Sequence, residues 1–160
     1  MDGQLFRHLN IRTDLVIEFM AVFSRFEYAL KSAGFAYGGS KIVNPAWDKF
    51  ANEIHHQFEQ IDDEPLRKSV KFLLEKPPRK QVLIDDKLSF KEQIIDKQQC
   101  TTQQSLKMIR TVRNNLFHGG KYCIGEENED GRNQQLVESS LKVLEHCCQL
   151  DKEVLASYKR

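Results

Sequence analysis

The sequence has no long apolar stretch. None of its uncharged apolar runs approaches the roughly 18 residues that a membrane-spanning helix requires. The N-terminal residues Met-Asp-Gly-Gln-Leu-Phe-Arg-His also lack the apolar core of a secretory signal. We therefore expect a cytoplasmic protein that does not associate with a membrane.

The sequence also lacks an excess of charge of either sign. Its 24 lysine and arginine residues balance 23 aspartate and glutamate residues, and the formal net charge is +1. This balance gives no general attraction to nucleic acid, so any such binding must rest on a local basic patch. A chain of 160 residues is long enough to bury its own core, and we expect one domain over residues 1–160.

The four cysteines form no familiar metal motif. None of Cys100, Cys123, Cys147 and Cys148 lies in a Cys-x-x-Cys pair, and on a helix the last two would point about 100° apart. Reduced cytosolic thiols are the simplest interpretation. The alternative is a zinc site that uses Cys123, His146, Cys147 and Cys148, but its spacing differs from that of structural zinc sites. We therefore expect neither a metal nor a cofactor.

Apolar residues recur at spacings of three and four along most of the chain, which predicts amphipathic helices. The first helix follows Thr13-Asp14 and ends at Gly34. Gly38-Gly39-Ser40 indicates a loop, and Asn44-Pro45 is typical of the start of a second helix. The apolar residues that follow at helical spacing predict its core-facing stripe: Trp47, Phe50, Ala51, Ile54 and Phe58. The acidic run at 62–64 with Pro65 indicates a third, which must stop before Pro77-Pro78.

The second half of the chain is less regular at first. Val82-Leu83-Ile84 could form a strand, but later apolar residues favour helix, so we predict an irregular connection with some helix over 79–100. A helix over 101–118 and one long final helix follow. Together these elements predict an all-α fold, an up-down bundle of four to five helices.

The segment that concentrates reactive groups is 109–122, Ile-Arg-Thr-Val-Arg-Asn-Asn-Leu-Phe-His-Gly-Gly-Lys-Tyr. Arg113 and His118 enclose four residues within it, and Asn114 follows the arginine. The guanidinium stays charged, whereas the imidazole titrates near neutral pH. Such a set suits chemistry on a phosphodiester, so Arg113, Asn114 and His118 are the candidate catalytic residues.

On an ideal helix the candidates divide between two faces. A polar strip lies opposite the apolar residues and consists of Lys107, Arg110, Asn114 and His118. Arg113 lies at the margin of the apolar face, about 140° from His118. The two can reach one small group only if the helix unwinds at Gly119-Gly120 or a second copy supplies one of them. A two-fold interface would also give the Arg113 guanidinium a partner, whereas Glu27 is expected to be solvated.

A simpler interpretation of these residues requires no function. A histidine before glycine commonly ends a helix, and an arginine beside apolar residues often extends its head group to solvent. The basic residues of the strip, likewise, could merely form the solvent face of the bundle. The spacing alone does not choose between the two interpretations.

Residues 113–121, Arg-Asn-Asn-Leu-Phe-His-Gly-Gly-Lys, resemble the Arg-x4-6-His motif of the HEPN superfamily, named for nucleotide-binding proteins of higher eukaryotes and prokaryotes. In that family the residue after the arginine is usually polar and commonly Asn, as Asn114 is. The close match covers about ten residues. The helical pattern agrees more loosely, and the segment from Phe19 to Gly34 resembles the opening helix of small stand-alone HEPN proteins.

The resemblance implies a homodimer with a composite cleft, and often a metal-independent endoribonuclease that acts as a toxin or defence effector. Arg113 and His118 would then be the catalytic pair, with Asn114 in support, and the products would end in 2′,3′-cyclic phosphate. RNA is the implied substrate, and an antitoxin protein is a further implied partner. Toxins that nucleotidyltransferase antitoxins control carry a tyrosine where this chain has Gly120, and the nearest tyrosine is Tyr122.

Candidate RNA-binding residues are Lys107, Arg110, Lys121 and Tyr122. Two other functions remain open. The chain could be a HEPN-fold module that binds a nucleotide or a protein without catalysis, which the near-neutral charge favours. It could also be a helical dimer in which Arg113 and His118 serve only the interface.

Overall fold

The computed structural model describes residues 9–119 and 131–160. This part of the chain contains, in order, α1 (Thr13–Ser32), β1 (Ala36–Gly39), β2 (Ile42–Pro45), α2 (Trp47–Glu59), α3 (Glu64–Glu75), β3 (Lys80–Ile84), β4 (Lys87–Lys91), α4 (Thr101–Phe117), α5 (Arg132–Gln149) and α6 (Lys152–Lys159). The prediction of an all-α bundle of four to five helices is therefore wrong. The fold is mixed, with six helices in the described part and two small antiparallel sheets. Among these helices, none combines the length and the apolar character needed to cross a bilayer.

Helix α1 forms one wall of the core and ends where the sequence predicts. Its buried face includes Phe19, Phe23 and Phe26, which recur at spacings of four and three. The N–H of Phe35 donates to the carbonyl of Leu30 at 2.9 Å, and Gly34 adopts a φ of +86°. This is a Schellman ending, in which glycine takes the left-handed conformation at low cost.

The first hairpin occupies a segment for which the sequence analysis predicted a loop and a helix start. Strands β1 and β2 pair around a two-residue turn, with Gly39 opposite Ile42. A Cβ at Gly38 would collide with the Ile42 carbonyl oxygen, and its φ is +137°, so the hairpin requires glycine there. Pro45 ends β2, an edge position where its missing N–H costs nothing, and α2 begins two residues later at Trp47.

The second hairpin corrects the prediction of an irregular connection with some helix. Residues 80–84 pair with 87–91, so the strand considered at Val82-Leu83-Ile84 is present and the predicted irregular connection with some helix is wrong. Asp85 and Asp86 form the turn with φ values of 48° and 60°. Positive φ at both positions defines the tight turn that matches strand twist, and aspartate tolerates it better than most residues. Of the apolar residues that suggested helix, Leu88 lies in β4 beside the turn and is exposed, whereas Phe90 is half-buried in the same strand.

An aromatic cluster joins α1 to α2 at the centre of the core. Phe26 is fully buried, stacks on Trp47 with ring centroids 5.4 Å apart, and meets Phe50 edge-on at 5.6 Å. Phe23 extends the cluster from the other side of Trp47 at 5.4 Å. The predicted core-facing stripe of α2 is confirmed, since each of its members is buried: Trp47, Phe50, Ala51, Ile54 and Phe58.

The predicted single final helix is wrong, because the chain breaks between α5 and α6. Asp151 is extended, with φ −126° and ψ 124°. Its carboxylate accepts hydrogen bonds from the backbone N–H groups of Glu153 at 3.0 Å and Val154 at 2.9 Å. A side chain that caps two orphan donors starts a new helix, and Val154 then anchors that helix as a fully buried residue.

The Asp151 cap gives a testable result. Replacing Asp151 with alanine should lower the free energy of unfolding by about 1 kcal/mol, because two N–H groups of α6 lose their acceptor. Urea denaturation measures the change. Asp151→Ser is the matched control, since serine keeps an acceptor at the cap position. Equal stability of the two variants would contradict the capping role.

Candidate functional site

Helix α4 carries all the candidate residues that the structure describes. It runs from Thr101 to Phe117, which confirms the predicted helix within one residue. Its predicted apolar arc is also confirmed: Leu106, Ile109 and Val112 are buried and Leu116 is half-buried. Because this arc packs into the core, the opposite side of α4 is fixed at the surface.

The polar strip stands on that surface. The side chains of Lys107, Arg110, Asn114 and His118 are all exposed, as their spacing predicts. Neither Lys107 nor Arg110 forms an ion pair within the described part of the chain. Lys121 and Tyr122, the other RNA-binding candidates, lie outside the described residues, and so does Gly120.

His118 closes α4 without interrupting it. Its N–H donates to the carbonyl of Asn114 at 2.9 Å, and Gly119 follows with a φ of +72°. The helix therefore does not unwind before His118. The side chain is exposed, and within the described part of the chain the imidazole forms no hydrogen bond or ion pair.

Arg113 has a different environment, on the side of α4 that meets α1. Its guanidinium carbon lies 5.3 Å from the ring centroid of Phe23 and 5.2 Å from that of Phe117. Nη2 is 3.9 Å from Oε2 of Glu27, and Nη1 donates to Oδ1 of Asn114 at 2.9 Å. A guanidinium between two ring faces, with a carboxylate and an amide on its edge, has few orientations open to it.

Glu27 supplies the partner that the sequence analysis expected from a second copy. Its side chain is 25% exposed, so the expectation of a solvated glutamate is wrong. Helix periodicity explains its position, since Glu27 lies one turn beyond Phe23, which also touches Arg113. The contact between Arg113 of α4 and Glu27 of α1 was not visible in the sequence because it depends on tertiary structure.

The two adjacent asparagines have separate roles. Asn114 is exposed and accepts from Arg113, whereas Asn115 is buried and donates from Nδ2 to the carbonyl oxygen of Arg79 at 2.8 Å. Asn115 thereby ties α4 to the base of the second hairpin. Sequence analysis did not single it out, although its spacing of three from Val112 places it near the buried arc.

The structure does not bring Arg113 and His118 of one chain together. Arg113 packs towards α1, and His118 belongs to the exposed strip on an unbroken helix. Asn114 lies between them in the sequence, and its side chain accepts a hydrogen bond from the arginine. Two arrangements could unite the pair on one phosphate. Unwinding at Gly119-Gly120 involves a residue outside the described part of the chain, and a second copy is the other arrangement.

A line of exposed uncharged residues runs along α1, the helix whose Phe23 and Glu27 contact Arg113. The outward side of α1 carries the exposed residues Ile17, Ala21, Ser24 and Tyr28, which we term the α1 stripe. Phe117 is 58% exposed although it contacts Arg113, and Ile17 is 64% exposed. Exposed apolar groups with small residues between them suit helix-to-helix packing.

Two neighbouring cysteines near the end of α5, Cys147 and Cys148, are buried. Burial raises the pKa of the Cys148 thiol to about 11, and burial also raises the pKa of Cys147. His146 is held by the Lys142 carbonyl oxygen at 2.9 Å and lies 3.7 Å from Asp63 Oδ2. Cys123 of the zinc alternative lies outside the described residues, and the described ones contain no group of three or more potential metal-binding side chains.

Comparison of the chain with models of protein families, with curated proteins and with solved structures finds no match.

Proposed function

We propose that this protein is a metal-independent endoribonuclease of the HEPN type, with a composite site at a homodimer interface. The observation that carries the proposal is the difference between the environments of Arg113 and His118 at the two sides of α4. Arg113 is held in place by Glu27, Phe23 and Phe117, whereas His118 stands unengaged at the helix end. An immobilised cation and an accessible proton carrier are what phosphodiester cleavage requires.

The chemistry follows from the groups. In the proposed reaction His118 takes the proton of the ribose 2′-OH, and the 2′-oxygen attacks the adjacent phosphorus. The bond from phosphorus to the 5′-oxygen breaks, and that oxygen takes up a proton from water as it leaves, while the protonated imidazole returns its proton to water. Arg113 stabilises the negative charge on the phosphorane oxygens, and Asn114 orients the guanidinium through its 2.9 Å hydrogen bond. The products end in 2′,3′-cyclic phosphate and a free 5′-OH, and no metal takes part.

A second copy would complete the site. Packing of the α1 stripe and Phe117 against their equivalents would cover exposed apolar surface next to Arg113. It would also place the arginine of one copy near the histidine of the other. In this proposal the enzyme works in the cytoplasm on cellular RNA, and an antitoxin protein that covers the polar strip would silence it.

Mixing two inactive variants tests the composite site. Arg113→Ala and His118→Ala should each lose RNA cleavage in the presence of EDTA. After subunit exchange about half of the dimers are mixed, and each has one intact site, so about a quarter of the wild-type activity should return. Cleavage is followed on gels, and mass spectrometry identifies the cyclic phosphate.

The same mixture contains its own control. Mixing Arg113→Ala with the double variant Arg113→Ala, His118→Ala restores no intact site and should stay inactive. Light scattering reports whether all samples are dimers. If the wild type cleaves RNA but the mixture of the two single variants does not, Arg113 and His118 of the same copy must form one site.

A binding module without catalysis is the second candidate. The contacts of Arg113 favour it in one respect, because Glu27 already compensates its charge and a purely structural arginine would be held the same way. The two candidates predict different results for the wild-type protein alone. A dimer that binds a nucleotide or a protein partner through the polar strip but cleaves no RNA would be this module.

A further inference from the structure

The second hairpin has two faces of different chemical character. Alternate residues of β3 and β4 share a face, and their register defines one set, which we term the lysine face: Lys80, Val82, Ile84, Lys87, Ser89 and Lys91. It contains three cations and no carboxylate. One position outward from Lys80 and Lys91, by contrast, Arg79 Nε donates to Glu92 Oε1 at 2.7 Å and the charges are matched.

The charges of the lysine face are unmatched in the protein itself. Lys80 lies directly opposite Lys91 in the register, and like charges in that relation destabilise a ladder. None of the three lysines forms an ion pair within the described part of the chain, and all are exposed. On α3, by comparison, Arg67 pairs with Asp62 at 2.9 Å. A polyanion laid along the lysine face would relieve the repulsion.

The hairpin is held in a fixed position beside the polar strip. Its base is tied to α4 by the hydrogen bond from Asn115 to the Arg79 carbonyl and by that from Thr111 Oγ1 to Gln93 Oε1 at 3.3 Å. Thr111 lies one helical turn from Lys107, a member of the strip. The base of the hairpin therefore lies next to the side of α4 that carries the polar strip.

We propose that the lysine face binds the RNA backbone and leads it to the polar strip of α4. This inference rests on the proposed function. It adds to that function the element that binds the part of the RNA distant from the scissile phosphate. Lys80 and Lys87 are about 13 Å apart along the ladder. That distance spans roughly four stacked nucleotides at about 3.4 Å each.

An anionic membrane fits the hairpin less well. Exposed Leu83, Ile84 and Leu88 near the tip would suit insertion into a bilayer. Asp85 and Asp86, however, form the turn itself and would meet the negatively charged lipid surface first. RNA that runs along the lysine face does not have to pass over the turn.

The test compares RNA binding by variants in a His118→Ala background, which prevents cleavage. Fluorescence anisotropy with a labelled 20-nucleotide RNA in EDTA gives the Kd and its dependence on salt. The triple variant Lys80→Gln, Lys87→Gln, Lys91→Gln should raise Kd about tenfold at 0.15 M salt. The logarithm of the association constant should also fall less steeply with the logarithm of the salt concentration, by about 2 in the slope, because three fewer phosphates are neutralised.

A charge-matched control separates the hairpin from general electrostatics. Lys41→Gln, Lys71→Gln, Lys152→Gln removes three exposed lysines elsewhere and should change Kd less than twofold. Three outcomes would each overturn the proposal that the lysine face binds RNA. They are equal effects of the two triple variants, no RNA binding by the His118→Ala parent, and binding of phosphatidylserine vesicles in place of RNA. Wild-type cleavage measured in parallel distinguishes the failures. A protein that binds RNA through these lysines without cutting it refutes only the ribonuclease.

Discussion

Replacing His118 with alanine should lower the rate of RNA cleavage by about 10²–10⁴-fold, the usual contribution of a general acid–base group. The side chain is exposed and forms no hydrogen bond or ion pair with the other described residues, so its loss should have little effect on the stability of the fold. The melting temperature should therefore stay within about 1 °C of wild type. Single-turnover cleavage with EDTA present, together with thermal unfolding of the same samples, measures both quantities.

His56 provides the matched control for this substitution. It is an exposed histidine on α2, where its Nε2 contacts Gln60 at 3.1 Å, and it has no place in the proposed site. His56→Ala should leave cleavage within about twofold of wild type. Equal activity of the His118→Ala and wild-type enzymes would remove His118 from the reaction. A dimer that dissociates on His118→Ala would instead support an interface role.

Replacing Phe26 with alanine should have the largest effect on stability, about 3–5 kcal/mol. The ring is fully buried and makes two aromatic contacts, stacked on Trp47 and edge-on to Phe50. Its loss leaves a cavity where α1 meets α2, and neither helix can close it without disturbing the other ring pairs. For a chain of this size the melting temperature should fall by about 10 °C.

Phe117→Ala is the control for Phe26→Ala, since the same atoms are removed from a side chain that is 58% exposed. It should cost less than about 1 kcal/mol, because little apolar surface leaves the core. Urea unfolding with a common slope compares the two variants. Similar losses of stability would show that the aromatic cluster is not the centre of the core.

Prediction from the sequence succeeded where one short period decides the outcome. The buried stripe of α2 and the exposed strip of α4 both follow from spacings of three and four. The end of α1 at Gly34 follows from the need of one residue for a positive φ. In these cases the information is local, and the rest of the fold only has to agree with it.

The errors arose where a short sequence pattern is compatible with two kinds of local structure. Asn44-Pro45 is compatible with a helix start and with the end of an edge strand, and the pairing of β2 with β1 decided the outcome. Apolar residues near Asp85-Asp86 match helical spacing, but two positive φ values make a tight turn there. The break at Asp151 was missed because apolar residues continue at helical spacing on both sides of it.

The candidate site divides in the same way. Exposure of Asn114 and His118 followed from helix geometry, whereas the contacts of Arg113 with Phe23 and Glu27 depend on where the fold places α1 relative to Arg113. The separation of Arg113 from His118 was predictable because the two residues belong to one helix. Whether a second copy unites them depends on a surface, and no single sequence spacing encodes that.

The aromatic residues also form a single chain of contacts that reaches the surface. Phe35 touches Phe50, and the contacts continue through Phe26 and Trp47 to Phe23. Arg113 and then Phe117 extend this chain to solvent. Phe23 therefore has two roles, because its ring packs in the core and also contacts the Arg113 guanidinium. A smaller residue at this position would both destabilise the fold and change the position of the guanidinium. Fewer substitutions should therefore be tolerated at position 23 than its burial alone implies.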